Sequence, residues 1–293
     1  MSRPTVCLSF DWDGVSVWMA GGATDARSLS RGEFGPRVGI PRLLDLCRRL
    51  DVRATFFTPG HTADTYPETA AQIAAAGHEL AAHGYAHEDF EPLSSDEARS
   101  VIVRAADAIE RAAGRRPRGM RFPPWAVAGE HFELLLEEGF TYSSSLMDDV
   151  RPHWARGAGV VRFDGPNEAG PELPLVEVPI TFITSDFAYF EFNGYAQPAL
   201  PAGLRNPRDV EQIWLDEFDY NADRDPGAFT MLMLHPETIG WGGRIAMLER
   251  VLTAIRERDA RFVTAEELAD EFRSGSTAPE WAGYGAGRSS TGT

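Results

Sequence analysis

Short apolar runs alternate with stretches of helical periodicity along most of the chain, and this alternation constrains the fold more than any other feature. The apolar runs predict strands at residues 6–10, 52–58, 78–83, 119–122, 141–144, 175–180, 229–234 and 262–263. Apolar residues three and four apart predict helices at residues 39–50, 67–77, 95–113, 130–138 and 244–258. Single helices between strands are typical of a parallel sheet with crossover connections. We therefore predict an α/β fold, a closed or nearly closed (β/α) barrel.

The chain length of 293 residues suits one large domain better than two small ones. We expect the barrel to span residues 1–273. Residues 274–293, rich in Gly, Ser, Thr and Ala, are predicted to be a flexible tail. Residues 16–37 are interpreted as a long first loop that shapes or covers a site. Residues 181–228 contain aromatics and several prolines and are a candidate second wall.

The net charge of -16 narrows the classes of partner. Nucleic acid needs Lys and Arg against its phosphates, so it is not an expected partner. Cys7 and Cys47 lie in apolar patterns and are predicted to be small buried side chains, not a disulfide or a metal site. The sequence has neither a secretion signal nor an apolar run of about 18 residues, which predicts a cytoplasmic protein that does not span a membrane.

Polar side chains follow several of the predicted strands, where a parallel barrel carries its chemistry. Asp11 and Asp13 flank Trp12 after the first strand, and aspartates two residues apart project to the same side while the chain stays extended. One carboxylate of such a pair can hold a metal ion while the other serves as a base. The alternative is an ordinary Asp-Gly turn at Asp13 and Gly14.

His83 and His87 follow the third predicted strand and are four residues apart. If this segment is helical, both imidazoles lie on one face and can chelate one cation. Together with Asp13 they make a three-ligand site that leaves a position open for water, as catalytic zinc sites do. His78 is interpreted as a structural histidine.

Two further segments carry candidate catalytic residues. In the segment 121–125 (RFPPW), the prolines hold Arg121 and Trp125 at a fixed offset, so Arg121 can orient a carboxylate and Trp125 can form a pocket wall. The alternative is a surface arginine and a core tryptophan. His235 ends an apolar strand and is a natural general acid near neutral pH, or else a structural histidine.

Other residues are weaker candidates. Trp18, in the first loop, and Glu237, beside His235, are predicted together with Trp125 to contact the substrate. Asp148 and Asp149 are candidates for the support of a neighbouring charged residue.

Five ordered segments resemble the motifs of the NodB-like polysaccharide deacetylases, carbohydrate esterase family four. They are SFDWDG at 9–14, HGYAH at 83–87, RFPPW at 121–125, YSSSL at 142–146 and LHP at 234–236. The resemblance implies a distorted (β/α) barrel and a divalent metal, usually zinc. It also implies functional roles: metal ligands Asp13, His83 and His87, base Asp11, acid His235 and orienting arginine Arg121.

The sequence departs from the usual family pattern in two places. Trp12 separates two aspartates that are usually adjacent, which leaves open whether Asp11 is the base. The long first loop and HPETIG at 235–240 resemble a cytoplasmic subgroup of cyclic imide hydrolases, metal-independent allantoinases and peptidoglycan-deacetylase-like proteins. Members of that subgroup tend to form tetramers, so the resemblance also implies a homo-oligomer.

These observations predict a metal-dependent hydrolase of non-peptide C–N amide bonds. The preferred substrate is a small amide or a cyclic imide. The alternative is N-deacetylation of an acetylated amino sugar, a chito-oligomer or peptidoglycan. A binding module on an inactive scaffold is disfavoured, because all three metal ligands and the acid are present.

Overall fold

The computed structural model describes residues 3–191, 204–225 and 227–275. These residues form one α/β domain around a curled sheet. The strands are β1 (Thr5–Asp11), β2 (Thr55–Thr58), β3 (Glu79–Ala82), β4 (Gly119–Met120), β5 (Tyr142–Ser143), β6 (His153–Arg156), β7 (Glu172–Glu177), β8 (Phe229–Leu234) and β9 (Arg261–Val263). Their order is β6-β7-β5-β4-β3-β2-β1-β8, and β9 also pairs with β1. All pairs are parallel except β6 with β7, so the predicted distorted barrel is confirmed.

Helices connect the strands and cover the outside of the sheet. They are α1 (Ser16–Ala20), α2 (Ala26–Phe34), α3 (Ile40–Leu50), α4 (Gly60–Thr65), α5 (Pro67–Ala75), α6 (Ser95–Ala113), α7 (Gly129–Glu137), α8 (Phe187–Phe190), α9 (Pro207–Arg224), α10 (Pro236–Ile239), α11 (Gly242–Glu257) and α12 (Ala265–Arg273). A turn of π-helix (Gly35–Gly39) joins α2 to α3, and a 3₁₀ turn (Phe182–Thr184) precedes α8. In the described part of the chain, no helix is long and apolar enough to cross a membrane.

Helix α6 shows how closely local sequence determines an element here. Ser94 accepts a hydrogen bond from the Glu97 backbone, and the Glu97 side chain accepts one from the Ser94 backbone, which together make a capping box. Gly114 ends the helix with a φ of 75°, a conformation that costs glycine little. The predicted bounds of residues 95–113 are confirmed because both ends carry local signals.

Strand β1 positions the site because it lies between β2 and β8 and runs parallel to both. Asp11 is level with Phe57 of β2, and Phe10 is level with Leu234 of β8. The residues that follow these strands therefore emerge at the same edge of the sheet. Val6, Leu8 and Phe10 of β1 face the larger apolar cluster, which lies between the sheet and most of the helices. Cys7 faces a smaller apolar cluster that includes residues of α12. A strand buried on both faces produces the continuous apolar run seen in the sequence.

The prediction that residues 16–37 form a long loop was wrong. They contain α1, α2 and the start of the π-helix, and the Asp25 side chain caps α2 by accepting from Ser28 N at 3.0 Å. Periodicity also did not predict β6, α4, α8, α9, α10 and α12. Strand β6 is four residues long, at the edge of the sheet, and antiparallel, so the βα rhythm gave no sign of it. Most of the predicted tail, from residue 276 on, lies outside the described residues.

Candidate active site

The turn after β1 carries both aspartates into one buried space. The chain stays extended through Trp12, whose N–H donates to Phe57 O at 2.8 Å, and turns at Gly14, whose φ is 57°. Trp12 is fully buried in the larger core cluster, so the aspartates on either side of it project the other way. Asp11 Oδ2 and Asp13 Oδ1 are buried and have no hydrogen-bond partner among the described residues. Trp12 is therefore the spacer that keeps both carboxylates on one side.

His83 and His87 lie on an irregular turn and not on the helix that their spacing would also allow. Gly84 and His87 have φ values of 66° and 61°, in the left-handed region that an α-helix excludes. Glu88 Oε2 accepts from two backbone N–H groups of the turn at 2.9 Å each and stabilises it. His87 has a Cβ, so its left-handed conformation is strained. Strained backbone of this kind clusters at functional sites.

Asp13, His83 and His87 form a cluster that fits a divalent cation. Asp13 Oδ1 lies 3.5 Å from His83 Nε2 and 3.8 Å from His87 Nε2, and the potential ligand atoms of all three residues lie within 4.8 Å of one another. His83 Nδ1 lies 2.7 Å from the carbonyl oxygen of Arg121, which can only accept, so His83 Nε2 carries the lone pair. Two imidazoles and a carboxylate are the donor set of an open catalytic zinc site.

Burial sets the protonation of these three groups. It lowers the pKa of His83 to about 4 and the pKa of His87 to about 3, so both imidazoles are neutral near pH 7, the form that binds a metal. Burial also raises the pKa of Asp13 to about 8. A positive charge placed among the three groups would return the pKa of Asp13 towards its ordinary range.

Arg121 is completely buried and anchors Asp11. Its Nη1 pairs with Asp11 Oδ1, while its Nε and Nη2 donate to the carbonyl and hydroxyl oxygens of Ser144 at 2.9 Å each. The contact with Asp11 is single and not bidentate, because Ser144 accepts from Nε and Nη2 and Ser9 Oγ accepts the second bond from Nη1. Burial raises the pKa of Asp11, but the positive charge of the Arg121 guanidinium, which also donates to Asp11, outweighs burial and holds this pKa below its usual value.

His235 follows β8 and faces Asp11 across the site. Its Nε2 lies 3.9 Å from Asp11 Oδ2, and its Nδ1 lies 2.8 Å from Asp186 Oδ1. Asp186 Oδ2 also accepts from the backbone N–H of His235 at 2.9 Å. Burial lowers the pKa of His235, but the Asp186 carboxylate outweighs burial and raises this pKa to about 10. His235 is therefore held as an imidazolium with its Nε2–H directed towards Asp11.

Asp186 is a site residue that the sequence analysis missed. It lies in the segment 181–228, and its backbone N–H donates to Met233 O at 3.3 Å, next to an isolated bridge between Ser185 and Met233. This non-local pairing places the carboxylate beside His235, 49 residues further along the chain. A Ser-Asp pair before aromatic residues was the only local signal, and it is too common to identify a site.

The two aspartates considered for charge support lie in a separate cluster. Asp148 Oδ2 lies 3.4 Å from His153 Nε2, and Asp149 Oδ1 accepts from the backbone N–H groups of Val150 and Arg151. Both follow β5, where the chain turns towards β6. They stabilise this local turn, and neither makes a contact with the catalytic cluster in the described residues.

The two tryptophans predicted to contact substrate lie in the segments that follow Asp13 and Arg121. Trp125 has a φ of 69° and packs edge-to-face against Phe182, with 5.2 Å between ring centroids. Trp18 lies in α1, five residues after Asp13, and the Arg31 guanidinium lies 4.0 Å from the centre of its ring. Their contacts with substrate stay predictions.

Glu237 lies beside the turn that carries Asp13, and its Oε2 has no hydrogen-bond partner among the described residues, so its contact with substrate stays a prediction. It is 9% exposed, and its Oε1 accepts from Gly14 N at 2.9 Å, so it contacts the turn that carries Asp13. Burial, together with the nearby Asp13 carboxylate, raises the pKa of Glu237 well above its ordinary value.

The fold and these residues together define a hydrolase of carbon–nitrogen bonds other than peptide bonds. A family profile described as polysaccharide deacetylase matches residues 33–143, which include both histidines and Arg121. A peptidoglycan deacetylase of Helicobacter pylori is 33% identical over 282 residues, which cover 91% of this chain and 95% of that protein. A peptidoglycan deacetylase-like protein of Gibberella zeae is 30% identical over 92% of this chain and 86% of its own length. The chain belongs to the polysaccharide deacetylase family, whose carbohydrate esterase family four deacetylases are metal-dependent.

Solved structures agree with this assignment. A structure from Mycobacterium smegmatis whose name places it among the polysaccharide deacetylases has a TM-score of 0.81 and 31% identity, and the match covers 94% of this chain and 92% of that one. The structure of Puue allantoinase has a TM-score of 0.77 over 95% of this chain and 93% of its own, with 21% identity. The second likeness shows a common fold.

Proposed function

We propose that this enzyme removes the acetyl group from an N-acetylated amino sugar of a glycan such as peptidoglycan. The relatives that match nearly the whole chain are named for peptidoglycan deacetylation, which favours this substrate class over the small amide or cyclic imide that the sequence first indicated. The observation that carries the chemistry is the position of Asp11 Oδ2. This unpartnered oxygen lies 4.0 Å from His83 Nε2 and 3.9 Å from His235 Nε2, between the metal-ligand cluster and the acid.

Asp11 serves as the general base. Arg121 pairs with Oδ1 alone, so Oδ2 remains free to accept a proton from the attacking water. The positive charge of Arg121 keeps Asp11 ionised in a buried setting where a carboxylate would otherwise take up a proton. Ser144 accepts from Nε and Nη2 of Arg121 and so fixes the guanidinium that pairs with Asp11.

His235 serves as the general acid. Asp186 holds Nδ1, so the proton on Nε2 points away from Asp186 and towards the amide nitrogen of a substrate held beside Asp11. Asp186 is a positioning residue, because it acts through His235 and also fixes the His235 backbone.

The reaction balances with water as the only co-reactant. Water oxygen bonds to the acetyl carbon, its proton passes to Asp11 Oδ2, and the C–N bond breaks as His235 Nε2 gives a proton to the nitrogen. The products are acetate and the free amino sugar. A divalent cation, which we propose to be zinc, would be held by Asp13, His83 and His87 and would polarise the carbonyl and acidify the water.

A small cyclic imide is the second candidate substrate. It is favoured by the first helical segment, residues 16–39, which packs directly onto the turn that carries Asp13. A segment beside this turn is the sequence feature that favoured a small substrate over a long polymer. The experiment must therefore compare both substrate classes on the same preparation.

The test is a parallel assay of the zinc-loaded full-length protein. N-acetylglucosamine oligomers and peptidoglycan fragments are scored for acetate release, and succinimide is scored for ring opening. We expect acetate release that a chelator abolishes and zinc restores, and that is lost in Asp11→Asn. Ring opening of succinimide without any acetate release would reject the deacetylase proposal in favour of the imide.

A further inference from the structure

Three distant parts of the chain close around the turn at Gly14. Glu237 Oε1 accepts from Gly14 N at 2.9 Å. Thr62 Oγ1 donates to Asp13 O, on the same peptide unit, at 2.6 Å. Gly32 of α2 lies so close to the carbonyl group of Gly14 that a Cβ at position 32 would overlap it. Both peptide units that follow Asp13 are therefore fixed by contacts from outside the turn.

The Glu237 side chain is itself enclosed. A Cβ on Gly35 would overlap the Glu237 carboxylate, so the π-helical turn closes one side of it. The backbone carbonyl of Glu237 accepts from Trp241 Nε1 at 3.0 Å, and the Trp241 ring stacks on Phe34 with 4.1 Å between centroids. The backbone at Gly35 and the hydrogen bond from Gly14 therefore limit where Glu237 Oε1 can lie, while Oε2 has no hydrogen-bond partner among the described residues.

This arrangement joins the two halves of the catalytic cluster. Glu237 follows His235 by two residues, and Gly14 follows Asp13 directly. The hydrogen bond from Gly14 to Glu237 thus connects the end of β1, which carries the metal ligand Asp13, to the end of β8, which carries the acid His235. A displacement of the Gly14 peptide rotates the backbone at Asp13 and moves its carboxylate relative to the two imidazoles.

We propose that Glu237 is a positioning residue that holds the Asp13 carboxylate in its metal-binding orientation. Two glycines of the first helical segment support it: Gly35 packs against the Glu237 carboxylate, and Gly32 packs against the Gly14 carbonyl group. The kinetic part of this inference rests on the proposed function. The first helical segment is then a fixed support of the metal site, where the sequence had suggested a covering loop. Glu237 does not contact the substrate in this account.

The first test is the zinc affinity of folded protein, measured by competition with a chromophoric chelator. Glu237→Ala should weaken zinc binding by about 10–100-fold, the usual effect of removing a group that orients a metal ligand. Glu237→Gln should restore most of the affinity, because its amide oxygen can accept the same hydrogen bond from Gly14. Glu79→Gln, another buried carboxylate at the start of β3, is the matched control and should bind zinc as the wild type does. Unchanged affinity in a folded Glu237→Ala protein would overturn the proposal.

A double-mutant cycle tests the contact between Gly35 and the Glu237 carboxylate. Gly35→Ala should weaken zinc binding in the wild type, because its Cβ displaces the Glu237 carboxylate. In the Glu237→Ala background the same change should cost nothing further, since the carboxylate is gone. Gly242→Ala has open space around its Cβ and is the control for the glycine substitution. Additive losses from Gly35→Ala and Glu237→Ala would contradict the proposed contact.

The kinetics separate a positioning role from substrate binding. At saturating zinc, Glu237→Ala should lower kcat with little change in KM, and Glu237→Gln should recover kcat. A rise in KM with unchanged zinc affinity would assign Glu237 to the substrate and overturn the proposal. If acetylated sugars are not hydrolysed by the wild type but the zinc affinities follow the pattern above, the proposed function fails while the positioning role stands.

Discussion

The two ends of strand β3 carry buried polar groups of opposite character. Glu79, at the start of the strand, accepts from Tyr142 OH at 2.6 Å, from Thr55 Oγ1 at 2.7 Å and from Glu266 N at 3.1 Å, so both its oxygens have partners. His83 follows the other end of the strand and faces Asp11 and Asp13. In the described part of the chain, each of these aspartates keeps one buried oxygen without a hydrogen bond.

The difference separates a stabilising network from a reactive one. A buried carboxylate whose oxygens are all satisfied ties elements together, and here it joins β2, β3 and β5 to the start of α12. A buried oxygen without a partner costs stability, of the order of 1–3 kcal/mol, and is retained where a water, an ion or a substrate completes it. The unsatisfied end of the strand is therefore the end that we propose to be functional.

The largest expected effect comes from replacing the metal ligands at the unsatisfied end of β3. His83→Ala and His87→Ala should each abolish stoichiometric zinc binding and lower deacetylation by at least about 10³-fold, since the cation provides both carbonyl polarisation and water activation. Metal content by mass spectrometry and acetate release check this prediction. His78→Ala is the control: His78 accepts from Ala54 N at 3.1 Å before the start of β3, so this variant should keep its zinc. Full metal content in His87→Ala would remove His87 from the site.

The acid should affect turnover without affecting the metal. His235→Gln removes the proton donor, so kcat should fall by about 10²–10⁴-fold while zinc content stays at the wild-type level. Asp186→Asn should give a smaller loss and lower the upper pKa of the kcat profile, because Asp186 raises the pKa of His235. An unaltered pH profile in Asp186→Asn would contradict the role of this contact.

How far the sequence predicted these two ends depends on whether the contacts are local. The strands, α6 and the order of the polar strand ends follow from periodicity and capping. The position of Asp186 could not be predicted, because it depends on the pairing of Ser185 with β8. The conformation of the turn 83–87 also escaped prediction, since spacing alone does not distinguish a helix from a turn with two left-handed residues. The tetramer and the cytoplasmic location stay predictions.

A substitution at Glu79, at the satisfied end of β3, should change the stability of the protein and not its zinc content. Glu79→Ala leaves the Tyr142 hydroxyl and the Glu266 N–H without their acceptor, so the free energy of unfolding should fall by about 1–3 kcal/mol. Urea unfolding measures the change, and zinc content at low denaturant serves as the internal control. A loss of zinc without a loss of stability would show that the two ends are not independent.

The smallest effect concerns the pair of Asp148 and His153, outside both ends. Burial lowers the pKa of His153, but the Asp148 carboxylate outweighs burial and raises this pKa to about 9 from 6.5. Because folding raises the pKa, the pair stabilises the protein fully below pH 6.5 and the contribution is lost as the pH rises through about 9. His153→Gln should therefore destabilise the protein in urea at about pH 6 and much less at about pH 9.5. Equal destabilisation at both pH values would mean that packing, and not charge, is the cause.

We predict above all that one divalent cation binds to Asp13, His83 and His87 at the unsatisfied end of β3. The most direct measurement is anomalous diffraction at the zinc absorption edge from crystals of the zinc-loaded protein. We predict one strong peak at bonding distance from Asp13 and from the Nε2 atoms of His83 and His87, with Asp11 beside it but not bonded to it. A fully loaded crystal whose zinc peak lies away from these three residues would contradict the account.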